Sequence, residues 1–460
     1  METNIHQKME QISRSVTLKA VIVGILTLLL LIPSVMIQNL ILERQNRSEE
    51  TISRINAKWS NAQTINGPVL AIPYTVKKTD EKKNLFTEYH TLYLTPEQLS
   101  INVKLIPEER HYGIYKAILY KSDVHLSGKF AHIDSLPVNG EIKWKDAYVQ
   151  LGITDLRGIE NNVDFVMNNS HFSAKAGGKK DVIGEGLNIS LKNNSSFTSE
   201  KEWNFSCNLQ LKGSSDINFI PIGKNTNVEV SGNWKAPSFI GSFTPEYKLT
   251  ESGFSANWNV LHFNRNIPEY WTDNTSSFTE NSFGVDLVDT VDHYQLNMRS
   301  AKYALMFISL TFVVFFFVEV LTKKRIHPIQ YFLVGIALIL FYSLLLSFSE
   351  QIGFGFAYLI ASAATIGLIV TYAHSIFKNK KQTGILALFL SILYIFLYVI
   401  LQLEDIALLI GSVGLFVILG IIMMLTKKIK WYKEDEKNGD EIQLPKVNQS
   451  AKKEFDDLEI

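Results

Sequence analysis

FFFVEVLTKKRIHPIQYF, residues 315–332, sets three cations, Lys323, Lys324 and Arg325, between two apolar runs, with one carboxylate, Glu319, inside the first. A bilayer core about 30 Å thick takes roughly 20 apolar residues per helix, and backbone groups in lipid must be satisfied within that helix. The runs flanking the cations have this length, so the basic knot marks a point where the chain surfaces from a membrane. Six runs qualify as spans: 18–42, 303–322, 328–349, 354–377, 384–402 and 406–426. Only short connectors separate the last five, which predicts a C-terminal five-helix antiparallel bundle over 302–426.

Short loops rich in Lys and Arg stay in the cytoplasm on insertion. Alternate connectors are basic: Lys8, Arg14 and Lys19; Lys323, Lys324 and Arg325; Lys378, Lys380 and Lys381; Lys427, Lys428 and Lys430. The opposite short connectors carry Glu350, Glu404 and Asp405 and no Lys or Arg. This alternation predicts a cytoplasmic N-terminus (1–17), a first span at 18–42, an extracytoplasmic block at 43–301, and a charged cytoplasmic tail at 427–460 too poor in apolar residues to fold. A basic start followed by an apolar run is also the pattern of a cleaved signal peptide. This run exceeds the usual 7–15 residues and no small-x-small site follows it, so an uncleaved anchor is expected. Pro33 is expected to kink it.

Bulk charge is balanced, with 45 Lys+Arg against 45 Asp+Glu, which points to no nucleic acid or other polyanionic partner. Cys207 is the single cysteine, so no internal disulfide can staple the polar block. A block of about 260 residues can bury enough surface without one.

Within that block the apolar period is two. WNFSCNLQL (203–211) places Trp203, Phe205, Cys207, Leu209 and Leu211 on one side and Asn204, Ser206, Asn208 and Gln210 on the other. Similar β-rich stretches at 85–94, 113–130 and 227–234 are punctuated by turn-forming residues, which predicts a mainly antiparallel β domain, a sandwich or two packed sheets. Residues 44–62 read as a helical stalk continuing from the first span. Strand order is not readable.

No phosphate-cradling loop, dinucleotide fingerprint, zinc-protease helix or nucleophile elbow occurs, and AGGKKD (176–181) lacks their spacing. The ten histidines are dispersed, and Cys207 has no metal-ligand partner at suitable spacing, so no cofactor and no metal are implied. Asp155, Arg157 and Asp216 read as solvated strand ends. Glu319 has two readings. An ionisable group within a span is a functional candidate, here as a proton or substrate relay. It also precedes Lys323 by four residues, a favourable helical pair that could snorkel to water. Glu319, Lys323, Arg325 and His327 are therefore the candidate membrane-interface residues. Ala357, Ala361 and Thr365, and Ala407 with Gly411, recur at the four-residue spacing that lets membrane helices pack closely.

Several phrases occur in order: NGPVLAIPY (66–74), GIYKAILY (113–120), ITDLRGI (153–159), GSSDINFIPIGKNT (213–226), APSFIGSFTPEYKLTESGFSANW (236–258) and DHYQLNMRSAKYALMFISLTFVVFFFVEVL (292–321). With IHPIQYFLVGIALILFYSLLLSFSEQIGF (326–354) they give a chain that resembles the CreD family from about residue 20 to Tyr432. The resemblance implies a Gram-negative inner-membrane location, a role in envelope integrity, and expression under a two-component stress regulon that also responds to β-lactam damage. It supplies no reaction and no catalytic residue.

The function expected is a non-enzymatic envelope-integrity protein whose periplasmic β domain engages a periplasmic or membrane protein partner or an envelope component, with membrane lipid around its spans. The alternative is a transporter or flippase-like carrier of a lipid or envelope intermediate. An enzyme is the third reading.

Overall fold

The computed structural model describes residues 16–131, 138–177, 183–192, 202–272, 278–287, 293–322, 326–403 and 406–426. Lys8, Arg14, the knot Lys323, Lys324 and Arg325, Glu404, Asp405 and the tail 427–460 lie outside them.

The chain opens with helix α1 (Val16–Leu29) and helix α2 (Leu31–Trp59), parted by one turn residue, Leu30. Pro33 explains the break, because it has no N–H for the Leu29 carbonyl and its ring crowds that carbonyl. Beyond its last apolar residues α2 runs on as a charged helix to Trp59. The later helices are α3 (His293–Lys302), α4 (Ala304–Thr322), α5 (Pro328–Ile352), α6 (Phe354–Phe377), α7 (Lys380–Gln402) and α8 (Ala407–Thr426).

The expected count of six spans needs correction. Among the described residues four helices are long and apolar enough to cross a membrane: Leu18–Trp59, α5, α6 and α7. A fifth is reached if α3 and the apolar part of α4 are taken as one span bent by 45°. The bend falls at Tyr303, whose N–H bonds back to the Ser300 carbonyl at 3.1 Å, a tight three-residue closure that ends the helical ladder. The apolar stretch of the last helix, Leu409–Ile421, is shorter.

Two compact units result. One takes the described residues of Met1–Ile32, Leu305–Leu338 and Thr365–Ile460, the other Pro33–Ala304 and Ile339–Ala364. In the first, α7 is apolar all round. Leu386, Leu390, Leu393 and Leu397 are buried while Ile385, Leu388, Ile392 and Ile395 are exposed, as a helix between protein and lipid requires. A Cβ at Gly335 on α5 would collide with Leu30, and one at Gly414 on α8 with the Phe396 ring. Close helix approach in this unit thus occurs at these glycines. Gly411 has open space around it, so its expected packing role is not met, whereas Ala357, Ala361 and Thr365 are all buried.

The second unit holds the β-structure, strands from Gln63 to Asp286 in two sheets, mostly antiparallel. In one, the long strand Gln63–Thr79 is central. It pairs antiparallel with Leu85–Leu94 and Tyr148–Ile153 and parallel with Asp216–Ile220. In the other, Gln98–Tyr112 and Tyr115–Ala131 form a long hairpin, with Glu202–Ser214 against the second arm and Asn225–Gly232 parallel to the first. The sheets share one core. Trp258 meets Phe283 across it at 5.3 Å and Trp144 meets Trp203 at 6.0 Å. The alternation in 203–211 holds, since Trp203, Phe205, Cys207, Leu209 and Leu211 are all buried. Each large apolar side chain buried this way contributes about 1.5–3 kcal/mol.

Candidate functional site

The end of the stalk helix is tied into the sheets. After Trp59 the chain turns at buried Ser60, and the Asn61 N–H donates to Asp155 at 3.0 Å. Arg157 grips the same carboxylate through Nε (2.8 Å) and Nη2 (2.6 Å), and its Nη1 donates to the Ala57 carbonyl at 2.9 Å. Gln63 completes the junction. Its amide donates to the Asp155 and Lys212 carbonyls and accepts from the Asp155 N–H. Arg157 is the first cause that holds Asp155 down to about 2. Asp155 and Arg157 are therefore a joint between helix and sheet instead of solvated strand ends. The Trp59 ring lies under two cations, Arg110 at 4.3 Å and Lys212 at 4.6 Å.

Two clefts flank the tip of the long hairpin. Tyr112 and Tyr115 pair across a two-residue loop, Gly113–Ile114, with Gly113 at φ +61°, the glycine-first pattern of a type II′ turn. The tip is apolar and exposed, Tyr112 by 68% and Ile114 by 36%. On one side of it a cleft of about 840 Å³ runs along α2, lined by Arg47, Arg54, Lys58, Trp59 and Arg110. On the other side a cleft of about 600 Å³ is bounded by Ser48, His111, Lys116, Tyr294 and Glu350. There the Tyr294 hydroxyl donates to Glu350 at 3.1 Å, and Asn297 donates to Ser349 at 2.7 Å. Sequence reading took 44–62 only as a charged stalk. The spacing of Arg47, Arg54 and Lys58, seven and then four residues apart, was the available signal for one cationic helix face.

In the helical unit Glu319 is 4% exposed. Its carboxylate pairs with Lys19 of α1, accepts the Ile326 N–H at 3.1 Å, and accepts the Tyr331 hydroxyl at 3.0 Å. The expected snorkelling to water does not occur, and the expected pairing with Lys323 falls on a residue outside the described ones, as does Arg325. His327 is exposed at the start of α5, where its Nδ1 accepts the Ile329 N–H and its backbone N–H donates to Gln330. Lys19, 300 residues away, was missed as a partner because no local pattern connects it to Glu319.

Asp216 faces Asp286 in the register of neighbouring strands. Burial, then the Asp286 charge, pushes Asp216 up to about 6, and burial raises Asp286. Cys207 is buried, and burial with the Asp164 charge pushes its thiol up to about 12, which leaves it unreactive at neutral pH. Among the described residues no group of three or more His, Cys, Asp or Glu side chains is placed to hold a metal ion.

An apolar N-terminal helix, a large mainly β unit and a C-terminal helical group define a polytopic membrane protein. Residues 15–432 match the family described as "Inner membrane protein CreD". Inner membrane protein CreD of Escherichia coli (strain K12) is 34% identical over 448 residues, covering 94% of this chain and 95% of that protein. The chain belongs to the CreD family.

Proposed function

We propose that this chain is an envelope-integrity protein of the inner membrane that acts without catalysis, through its β unit, on a protein partner or envelope component. The β unit is read as periplasmic and both termini as cytoplasmic, on the one-sided distribution of Lys and Arg between short connectors. The observation that carries the reading is the joint at Asp155, Arg157 and Gln63, which holds two large sheets firmly at the end of a membrane helix. Such a joint suits a surface held in place for something else to meet. A photo-crosslinking residue at exposed Tyr89, in the full chain in intact cells, is expected to capture an envelope component. Restoration of a deletion phenotype by a chain lacking the β unit would overturn the proposal. Labelling of a Tyr89→Cys variant by a membrane-impermeant maleimide in intact cells tests the sidedness.

The carrier reading rests on buried, ionisable Glu319, a default functional candidate within a helical membrane unit. Substrate-dependent flux in liposomes, abolished in Glu319→Gln with the fold retained, would favour it.

A further inference from the structure

We infer that the cleft between α2 and the hairpin tip binds an anionic lipid, with the phosphate at Arg47. The inference deepens the proposal above by naming the chemical class of an envelope component, and it rests on that reading only in that respect.

Charge comes first. Arg47, Arg54, Lys58 and Arg110 line the cleft against one carboxylate, Glu50. Glu50 pairs with Arg54 at 2.5 Å, and Arg110 pairs with Glu108 at 2.7 Å, yet Arg47 and Lys58 have no ion-pair partner among the described residues. Among the described lining residues the cleft therefore keeps a positive excess, which an added anion would balance. Three of its cations are arginines, whose planar forks match phosphate oxygens in pairs.

Position comes next. Leu42 is the last large apolar residue of α2 before its charged part, and it is exposed. Five residues of helix place Arg47 about 8 Å further along. The headgroup layer on each side of a bilayer core is about 5–8 Å deep, so Arg47 stands at phosphate level. Lys58 follows about 24 Å beyond Leu42, so the far end of the cleft rises clear of the headgroup layer.

The third observation is the hairpin tip. Tyr112 and Ile114 are exposed at a tight turn, where polar residues are the rule, and both line the same cleft as Arg47. An aromatic and a branched aliphatic side chain in one cleft with an interfacial arginine suit the boundary between headgroup and acyl chain. A volume of about 840 Å³ accommodates a headgroup of several polar groups.

The test uses the full chain in nanodiscs of phosphatidylcholine with or without phosphatidylglycerol, with lipid retained on the protein read by native mass spectrometry. Preferential retention of phosphatidylglycerol is expected. At about fivefold for an interfacial cation, Arg47→Gln should reduce it about fivefold. Equal retention of both lipids, or no loss in the Arg47→Gln variant with an unchanged thermal midpoint, would overturn the inference. So would displacement of phosphatidylglycerol by millimolar inorganic phosphate, which would assign the cleft to a free anion. Loss of lipid preference alongside intact crosslinking at Tyr89 would sink this inference and leave the proposed function standing.

Discussion

Lys19 and Glu319, 300 residues apart in the chain, form an ion pair in the helical unit, with the Glu319 side chain 4% exposed. The carboxylate takes two further donors, from Ile326 and Tyr331. A buried pair with its remaining lone pairs satisfied holds two segments in one arrangement, and loss of one partner leaves an unbalanced charge.

Lys19→Met is accordingly expected to destabilise the full chain by about 3–5 kcal/mol. Adding Glu319→Gln should recover most of that loss, since the charge to be balanced is gone. Thermal midpoints in detergent for both singles and the double check this; additive losses would mean the pair is not coupled.

Gly335→Ala places a methyl where Leu30 lies. Overpacking of this kind costs about 1–3 kcal/mol. Leu30→Ala in the same chain should relieve it, so the double variant is expected to be more stable than the sum of the singles. The same midpoint series reads it.

Asp216 and Asp155 shape the pH dependence of the β unit in opposite senses. Asp216 is raised in the folded state, so its favourable contribution is complete below the ordinary carboxylate value near 4 and is lost as pH rises through about 6. Asp155 is lowered, so its contribution is present above about 4 and is lost as pH falls through about 2. Asp216→Asn should flatten the pH 4–6 limb and stabilise the chain at pH 7 by about 1–2 kcal/mol, after allowance for solvent screening of a partly exposed group. Midpoints across pH 2–8 measure both limbs. An unchanged upper limb in the variant would count against the Asp216 assignment.

Gln150 is wholly buried, and neither atom of its amide has a hydrogen-bond partner among the described residues. An unpaired buried amide costs about 1–3 kcal/mol, and an apolar side chain of similar shape removes that cost. Gln150→Met is expected to leave stability unchanged or raise it. A fall of several degrees in the midpoint would instead show that the amide performs a specific task in the sheet interior.

Much of this architecture is legible in the sequence because lipid and sheet impose different periods. Residues 203–211 alternate and the structure buries one side; residues 384–402 do not alternate because both faces of α7 meet apolar surroundings. The breaks are harder to read. Nothing around Tyr303 signals the closure that separates α3 from α4, and a composition window passes through it. Strand order is set by partners far apart, such as Ile65 beside Phe219, for which no local rule exists. The functional residues divide the same way. Glu319 stands out as a charge in an apolar run, whereas Lys19 resembles any flanking cation. The stripe of Arg47, Arg54 and Lys58 can be counted off the helix, but the hairpin tip that turns it into a cleft comes from the fold.

The joint between α2 and the sheets bears on mechanics. Trp59 is followed by only three residues, 60–62, before the strand at Gln63, and Arg157 clasps the helix end at the Ala57 carbonyl. A pull or a tilt imposed on the sheets is therefore not absorbed at the connection; it travels down the helix toward Pro33. The β unit is mounted as a lever on its stalk, not hung from a tether, so a load on its sheets is carried into that helix.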